Sequence, residues 1–174
     1  MSWLTGATIE GTDFRYLAHG SYGAIFADHQ RQRARKIFFD KGSDQRALIA
    51  GVCSDEIKAY QIAQSHPEAS QLVPAFFGET ATTNILDANG QPLNQQFFAD
   101  LGYEMELVPG EVRKLRGTPE QGRVERIFHA AGIAYTQDAS MIQSGERIAV
   151  IDFGTFDPDP PAAPPLPDEN GLWS

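Results

Sequence analysis

Apolar and aromatic residues in the first third of the chain come in short runs: residues 14–18 (FRYLA), 23–28 (GAIFAD) and 34–39 (ARKIFF). Gly20-Ser21-Tyr22-Gly23 and the polar segment HQRQR separate them, a layout that predicts an antiparallel meander of strands. The period then lengthens. In SDEIKAYQIAQSHP, Ile57, Tyr60 and Ala63 recur at helical spacing. Ser54 is a fair N-cap, Asp55 and Glu56 fall in the first turn, where the helix dipole favours negative charge, and Pro67 ends the helix. Strand-like runs return in LVPAFFGET, in NILDANGQPL with its Asn89-Gly90 turn, and in GYEMELVPGE, which stops at a Pro-Gly break.

A second helix is predicted from an N-cap at Thr118, with Pro119 in the first helical position and Gln121 as capping-box partner, through Ala131 to a stop at Gly132. Its Val124, Ile127, Phe128 and Ala131 share one face. After the loop AYTQDAS, the run MIQSGERIAVIDFG predicts a hairpin turning at Ser144-Gly145. Six prolines between 158 and 167 exclude a helix or central strand from the last stretch and predict an extended arm or a disordered tail. No internal repeat is visible.

Composition changes this picture in three places. A length of 174 residues suffices for one domain or for two small lobes sharing a cleft. A net charge of −9 argues against sequence-independent binding of nucleic acid, which needs Lys and Arg to neutralise phosphates, so an anionic ligand must be held by local features. Cys53 is the single cysteine; no intrachain disulfide can form, and a reducing compartment fits. No apolar run approaches the roughly 20 residues that span a bilayer, and no basic-then-apolar leader opens the chain. A soluble, cytosolic protein is expected, and export signals read by specialised secretion systems would be invisible at this level.

Four features could carry chemistry. Gly20 and Gly23 bracket either an ordinary hairpin or a cover whose backbone amides approach a phosphate. Lys36 lies thirteen residues beyond Gly23, on the strand face of Ala34 and opposite Arg35; it is either a solvated edge lysine or a ligand. Glu56 follows after twenty more residues, and the dipole alone would explain it. Asp152 leaves the buried-looking strand IAVI, where a carboxylate needs a partner or a metal.

In order and spacing these features resemble the protein kinase superfamily. LAHGSYGAIF resembles its glycine-rich loop, with Gly20, Tyr22, Gly23 and Ile25 matching and Ala18 in place of the first glycine. ARKIF resembles the strand that carries the nucleotide lysine, Glu56 matches the helix glutamate that pairs with it, MELVPGE (residues 105–111) is similar to the hinge, and IDFG is the metal-binding motif unaltered. The resemblance implies an α+β fold in two parts. Residues 1–108 would form a lobe of five antiparallel strands and one helix, and residues 109–156 a strongly reduced second lobe with one main helix and the hairpin carrying DFG. Residues 157–174 would be a Pro-rich acidic tail.

It also implies ATP and Mg²⁺ as cofactors. The loop at Gly20, Ser21 and Gly23, with Ile25, would cover the phosphates; Lys36, held by Glu56, would contact the α and β phosphates; Asp152 would ligate the metal. Met105 would border the adenine, the backbone at residues 106–108, including Glu106 and Val108, would read its edge, and Glu111 would reach the ribose. Such a site transfers a γ-phosphoryl group by positioning and charge neutralisation.

The loop AYTQDASMIQ departs from the family's His-Arg-Asp pattern and its following Asn. Asp138 is the carboxylate left to orient the attacking hydroxyl, or else a turn aspartate satisfying its own backbone. The metal-binding Asn role falls to Gln143 in one alignment and to Ser140 in another. Twenty residues follow Gly154, so an activation segment and the large helical part of the second lobe are expected to be missing. In this the chain is similar to the minimal kinases that bacterial pathogens inject into host cells as virulence effectors, and in length to those that phosphorylate a host heat-shock chaperone. That similarity implies a monomeric Ser/Thr kinase, secreted by a specialised system into host cytoplasm, acting on a host protein and binding neither nucleic acid nor membrane. The alternative is a pseudokinase or nucleotide-binding module that presents PPLP (residues 164–167) to a partner.

Overall fold

A computed structural model describes residues 2–156; the proline-rich stretch 157–174, with the arm or tail expected there, lies outside the described residues. The fold is α+β, with two mostly antiparallel sheets and two α-helices among those residues.

The meander forms as its pattern predicts. After β1 (Thr8–Ile9) come β2 (Arg15–His19), β3 (Gly23–Asp28) and β4 (Arg33–Phe39), each antiparallel to the next. The turn at residues 20–23 closes through the Gly20 amide donating to the Gly23 carbonyl at 2.9 Å. Neither glycine takes a positive φ, so the turn geometry is not what demands them. Gly23 is required by close approach instead: a Cβ there would lie 2.6 Å from the Ile37 carbonyl oxygen on β4.

β5 (Phe76–Glu79), β6 (Ile85–Leu86) and β7 (Phe97–Glu106) complete a seven-stranded sheet in the order β5-β7-β4-β3-β2-β1-β6. Five strands were expected, and the sheet has seven: two two-residue strands, β1 and β6, extend one end of it by pairing with each other, Thr8 opposite Leu86 and Ile9 opposite Ile85. β6 falls within the predicted run NILDANGQPL, whereas β1 was not expected, since two residues carry too little periodicity to read.

α1 spans Arg46–Ser65, so it begins eight residues before the predicted cap at Ser54. Ile49, Val52 and Cys53 are buried and extend the same apolar stripe toward the N-terminus, past Gly51, which obscured it. Ser54 is therefore interior, and Asp55 and Glu56 sit in mid-helix, where the macrodipole no longer explains them.

β8 (Glu111–Lys114) follows the Pro-Gly break, then α2 (Gln121–Ala131), then β9 (Ser140–Ser144) and β10 (Arg147–Ile151). The predicted hairpin is β9–β10, with β8 added on its β9 side to make a three-stranded sheet. Helix α2 ends at Gly132 as expected, in the left-handed region with φ 95°, but its start differs. Thr118 donates its hydroxyl to the Leu115 carbonyl instead of capping, and Gln121 accepts from the Gly117 amide.

The main core lies where α1 packs on one face of the large sheet and runs on into α2, β9 and β10, with Phe38, Tyr60, Tyr103, Phe128 and Phe153 fully buried in it. The opposite sheet face buries Phe14, Phe26, Ile37 and Phe97 under the N-terminal segment around Leu4. α1 thus joins both sheets through one core, and this brings β4 near the end of β10. No described helix is long and apolar enough to cross a membrane.

Candidate functional site

Strand alternation sends Lys36 to the α1 side of the large sheet, between Ile25 on β3 and Tyr103 on β7. There it is only 6% exposed. Its ammonium donates to both carboxylate oxygens of Glu56, at 2.7 and 2.9 Å, and lies 3.9 Å from Asp152 Oδ1. The Tyr103 hydroxyl donates to Glu56 Oε2 at 2.7 Å, so the carboxylate is oriented from two sides. Burying an ion pair is costly unless its remaining lone pairs are used, and Tyr103 uses one.

Asp152 follows β10 with φ 59°, a left-handed conformation that non-glycine residues adopt seldom and that costs roughly 1–3 kcal/mol. Two neighbours hold it there. Phe153 is buried against Tyr60 and Phe128, with ring centroids at 4.7 and 5.0 Å, and Gly154 exchanges two backbone hydrogen bonds with Tyr135, both 2.9 Å. The anchored phenyl ring and the paired backbone leave the Asp152 carboxylate half exposed, at 46%.

These groups line a cleft of about 240 Å³ between the turn at residues 20–23 and the loop before β9. Of the residues singled out in the sequence, Gly20, Ser21, Lys36, Glu56, Asp138 and Asp152 line it together. The Asp138 carboxylate accepts from the Tyr135 hydroxyl at 2.5 Å, and its carbonyl accepts from Lys114 at 2.8 Å. No family model and no curated protein matches this chain.

Other expected positions stand outside the cleft lining. Ile25 and Met105 pack in the adjoining core, where Met105 sulfur accepts from the Tyr60 hydroxyl at 3.5 Å. Gly23 abuts β4. Glu106 is held in a two-point pair with Arg147, at 2.7 and 2.9 Å, and the amides of Glu106 and Leu107 already donate to Ala75 and Gln32. Val108 is buried against Ile142 and Ala149. Glu111 is exposed at the start of β8, opposite Gln143.

The two candidates for a second metal ligand separate clearly. Ser140 pairs with Ile151, next to Asp152, whereas Gln143 pairs with Ile148, about 10 Å further along the ladder, and donates its amide to Gly145 in the hairpin turn. The register thus sets Ser140 nearer in the ladder to Asp152 than Gln143, but Ser140 is buried and neither residue lines the cleft. Among the described residues no cluster of three or more His, Cys, Asp or Glu could cage a metal. Magnesium does not need one: it keeps several waters and is held by one or two carboxylates together with substrate phosphates, and the exposed Asp152 carboxylate fits that role.

Burial opposes the charge on Lys36, but Glu56 and then Asp152 outweigh it and hold its pKa above the ordinary value. Burial, then Asp152 and Glu56, pushes the Tyr60 hydroxyl well above the usual tyrosine range; burial, then Glu56, does the same to Tyr103. Burial also pushes the Cys53 thiol up to about 12 from 9.0, with Glu56 adding to it. Each of these groups keeps a proton in the fold that the unfolded chain releases, so stability falls as pH rises. The thermal midpoint is expected to hold steady from pH 7 to about 8.5 and to drop from about pH 9 upward, Cys53 first and then the tyrosines and Lys36 near their unfolded values of about 10. Cys53→Ala should delay the onset by about one pH unit; an unchanged onset in thermal melts against pH would refute this assignment.

Sequence reasoning missed Tyr103, Tyr135, Lys114 and Asp55. Tyr103 and Tyr135 look like ordinary strand and loop aromatics, and Lys114 belongs to a strand whose four residues are all exposed. Asp55 alone left a signal: once the helix is extended back to Arg46, it is a carboxylate in mid-helix beside the apolar stripe.

Proposed function

We propose that the chain is a minimal ATP-dependent protein kinase, its two sheets acting as two kinase-like lobes with the nucleotide in the cleft between them. The observation that carries this is the Lys36 ammonium, bonded to both oxygens of Glu56 and 3.9 Å from Asp152 in one cleft. A fixed cation beside an exposed carboxylate is what a magnesium-bound triphosphate requires.

In this reading Lys36 would contact the α and β phosphates, Asp152 would hold Mg²⁺ with water, and the turn at residues 20–23 would cover the phosphates. Lys114 adds a second ammonium at the cleft edge. The acceptor hydroxyl oxygen attacks the γ-phosphorus, the bond to the β-phosphate oxygen breaks, ADP leaves, and Asp138 orients the hydroxyl and takes its proton. A serine or threonine of a host protein is the proposed acceptor, and delivery as a secreted effector and a heat-shock chaperone as target extend the sequence resemblance.

One observation favours a second reading, a pseudokinase: the Asp138 carboxylate is engaged by Tyr135 in a loop that holds no histidine, arginine or asparagine. Two measurements separate the readings. Incubation with γ-labelled ATP, Mg²⁺, host lysate and purified chaperones is expected to label protein, and Asp152→Asn to label none. A thermal shift on adding ATP and Mg²⁺ without labelling would favour the pseudokinase, and no shift at all would remove both.

A further inference from the structure

We propose that Asp55 is a positioning residue: a buried latch on α1 that fastens the segment after Asp152 and so keeps that carboxylate facing the nucleotide. The inference rests on the nucleotide-site reading and adds a residue to it.

Asp55 and Glu56 are consecutive, so their side chains leave α1 about 100° apart. Glu56 turns to Lys36 on β4. Asp55 turns to the chain a hundred residues later, where Oδ2 accepts from the Thr155 amide at 2.9 Å and Oδ1 accepts from the Thr155 hydroxyl. Asp55 is 8% exposed, and a Cβ added at Gly154 would press on its Oδ2, so the absence of a side chain there leaves room for the carboxylate. One turn of α1 therefore grips both walls of the cleft.

The segment has a reason to need a latch. Asp152 is held at φ 59°, and a strained residue keeps its conformation only where its surroundings over-determine it. The Phe153 ring and the Gly154–Tyr135 bridge anchor the two residues after Asp152; Asp55 anchors the third, Thr155. Without it, the Thr155 amide loses its acceptor in a partly buried place, and the segment can relax the strain by rotating Asp152 away from Lys36.

A rival role exists, because Asp55 also lines the cleft: its charge could act on the metal directly. The two roles differ in what they demand. A latch needs an acceptor for the amide and a partner for the hydroxyl, and the carboxamide of Asn supplies both, accepting from one and donating to the other. A metal ligand or counter-charge needs the carboxylate.

The experiment measures ADP affinity by calorimetry with Mg²⁺ and with EDTA, and amide exchange over residues 152–156, in wild type, Asp55→Ala, Asp55→Asn and Thr155→Val. Asp55→Ala is expected to lose about tenfold or more of the Mg²⁺-dependent gain in affinity, to leave ADP binding in EDTA within about twofold, and to exchange the segment's amides faster. Asp55→Asn should restore most of both. If Asp55→Ala keeps the Mg²⁺-dependent gain, or Asp55→Asn fails as Asp55→Ala does, the latch is refuted. A wild type with no Mg²⁺-dependent gain would refute the nucleotide site instead, and amide exchange would still judge the latch. Should Asp55→Ala fail to fold, Thr155→Val decides: about a threefold loss supports the latch, and wild-type behaviour in both measurements overturns it.

Discussion

Asp152→Asn is expected to reduce phosphate transfer at least about 10³-fold while leaving the thermal midpoint nearly unchanged. The substitution keeps shape and, because Asn tolerates left-handed backbone, keeps φ 59° without added strain. The side chain is half exposed, and its buried neighbour Lys36 keeps both Glu56 oxygens as partners, so removing the Asp152 charge leaves no buried group unpaired and touches little packing. What goes is the negative oxygen that would hold Mg²⁺ against the phosphates, and with it the charge neutralisation on which a metaphosphate-like transition state depends. Steady-state transfer and melting of the same preparation test both halves. Activity within about tenfold of wild type would exclude Asp152 as the metal carboxylate.

Lys36→Met is expected to abolish transfer and also to destabilise the fold by about 3–5 kcal/mol. Glu56, whose side chain is 12% exposed, would keep the Tyr103 hydroxyl as its one hydrogen-bond partner among the described residues. A buried carboxylate stripped of its cation costs more than the pair was worth, and for a chain of this size that corresponds to a midpoint lower by about 10 °C. The double variant Lys36→Met with Glu56→Leu makes the point sharper, since replacing both charges by apolar groups is often neutral. It should recover most of the lost stability and none of the activity. Urea titration of the three variants separates the effects, and a Lys36→Met protein as stable as wild type would mean that Glu56 finds another partner in the fold.

Much of the architecture was legible because it is local. The strands at residues 14–39, the Asn89-Gly90 turn, the hairpin turning at Ser144-Gly145 and the stop at Gly132 each follow from periodicity or turn chemistry within a few residues. Errors arose where a local rule had a competitor. Ser54 satisfies the rule for an N-cap, yet burial of Ile49 and Val52 carries α1 straight through it. Thr118 satisfies the same rule, yet its hydroxyl bonds back to Leu115. The glycines at 20 and 23 could be read from sequence as a hairpin turn or a phosphate cover, and neither reading shows that Gly23 makes room for the Ile37 carbonyl.

The candidate site divides along the same line. Lys36, Glu56 and Asp152 could be chosen from type, order and spacing together, because they match the order of a kinase-like site; taken singly, only Asp152, a carboxylate ending a core strand, breaks a local pattern. Tyr103, Lys114 and the bond from Asp55 to Thr155 break none, and they come into view only when distant segments touch.

Sequence alone thus determined an α+β chain built from an antiparallel meander, two helices and a closing hairpin, since hydrophobic period and turn residues act over a few bonds. Tertiary structure alone decided that α1 reaches β4 with Glu56 and the segment beyond β10 with Asp55, so that one cleft collects the charged groups. The physical reason is that such meetings depend on how one shared core packs the two sheets, and packing is a property of surfaces brought together, which neighbouring residues in a chain do not encode.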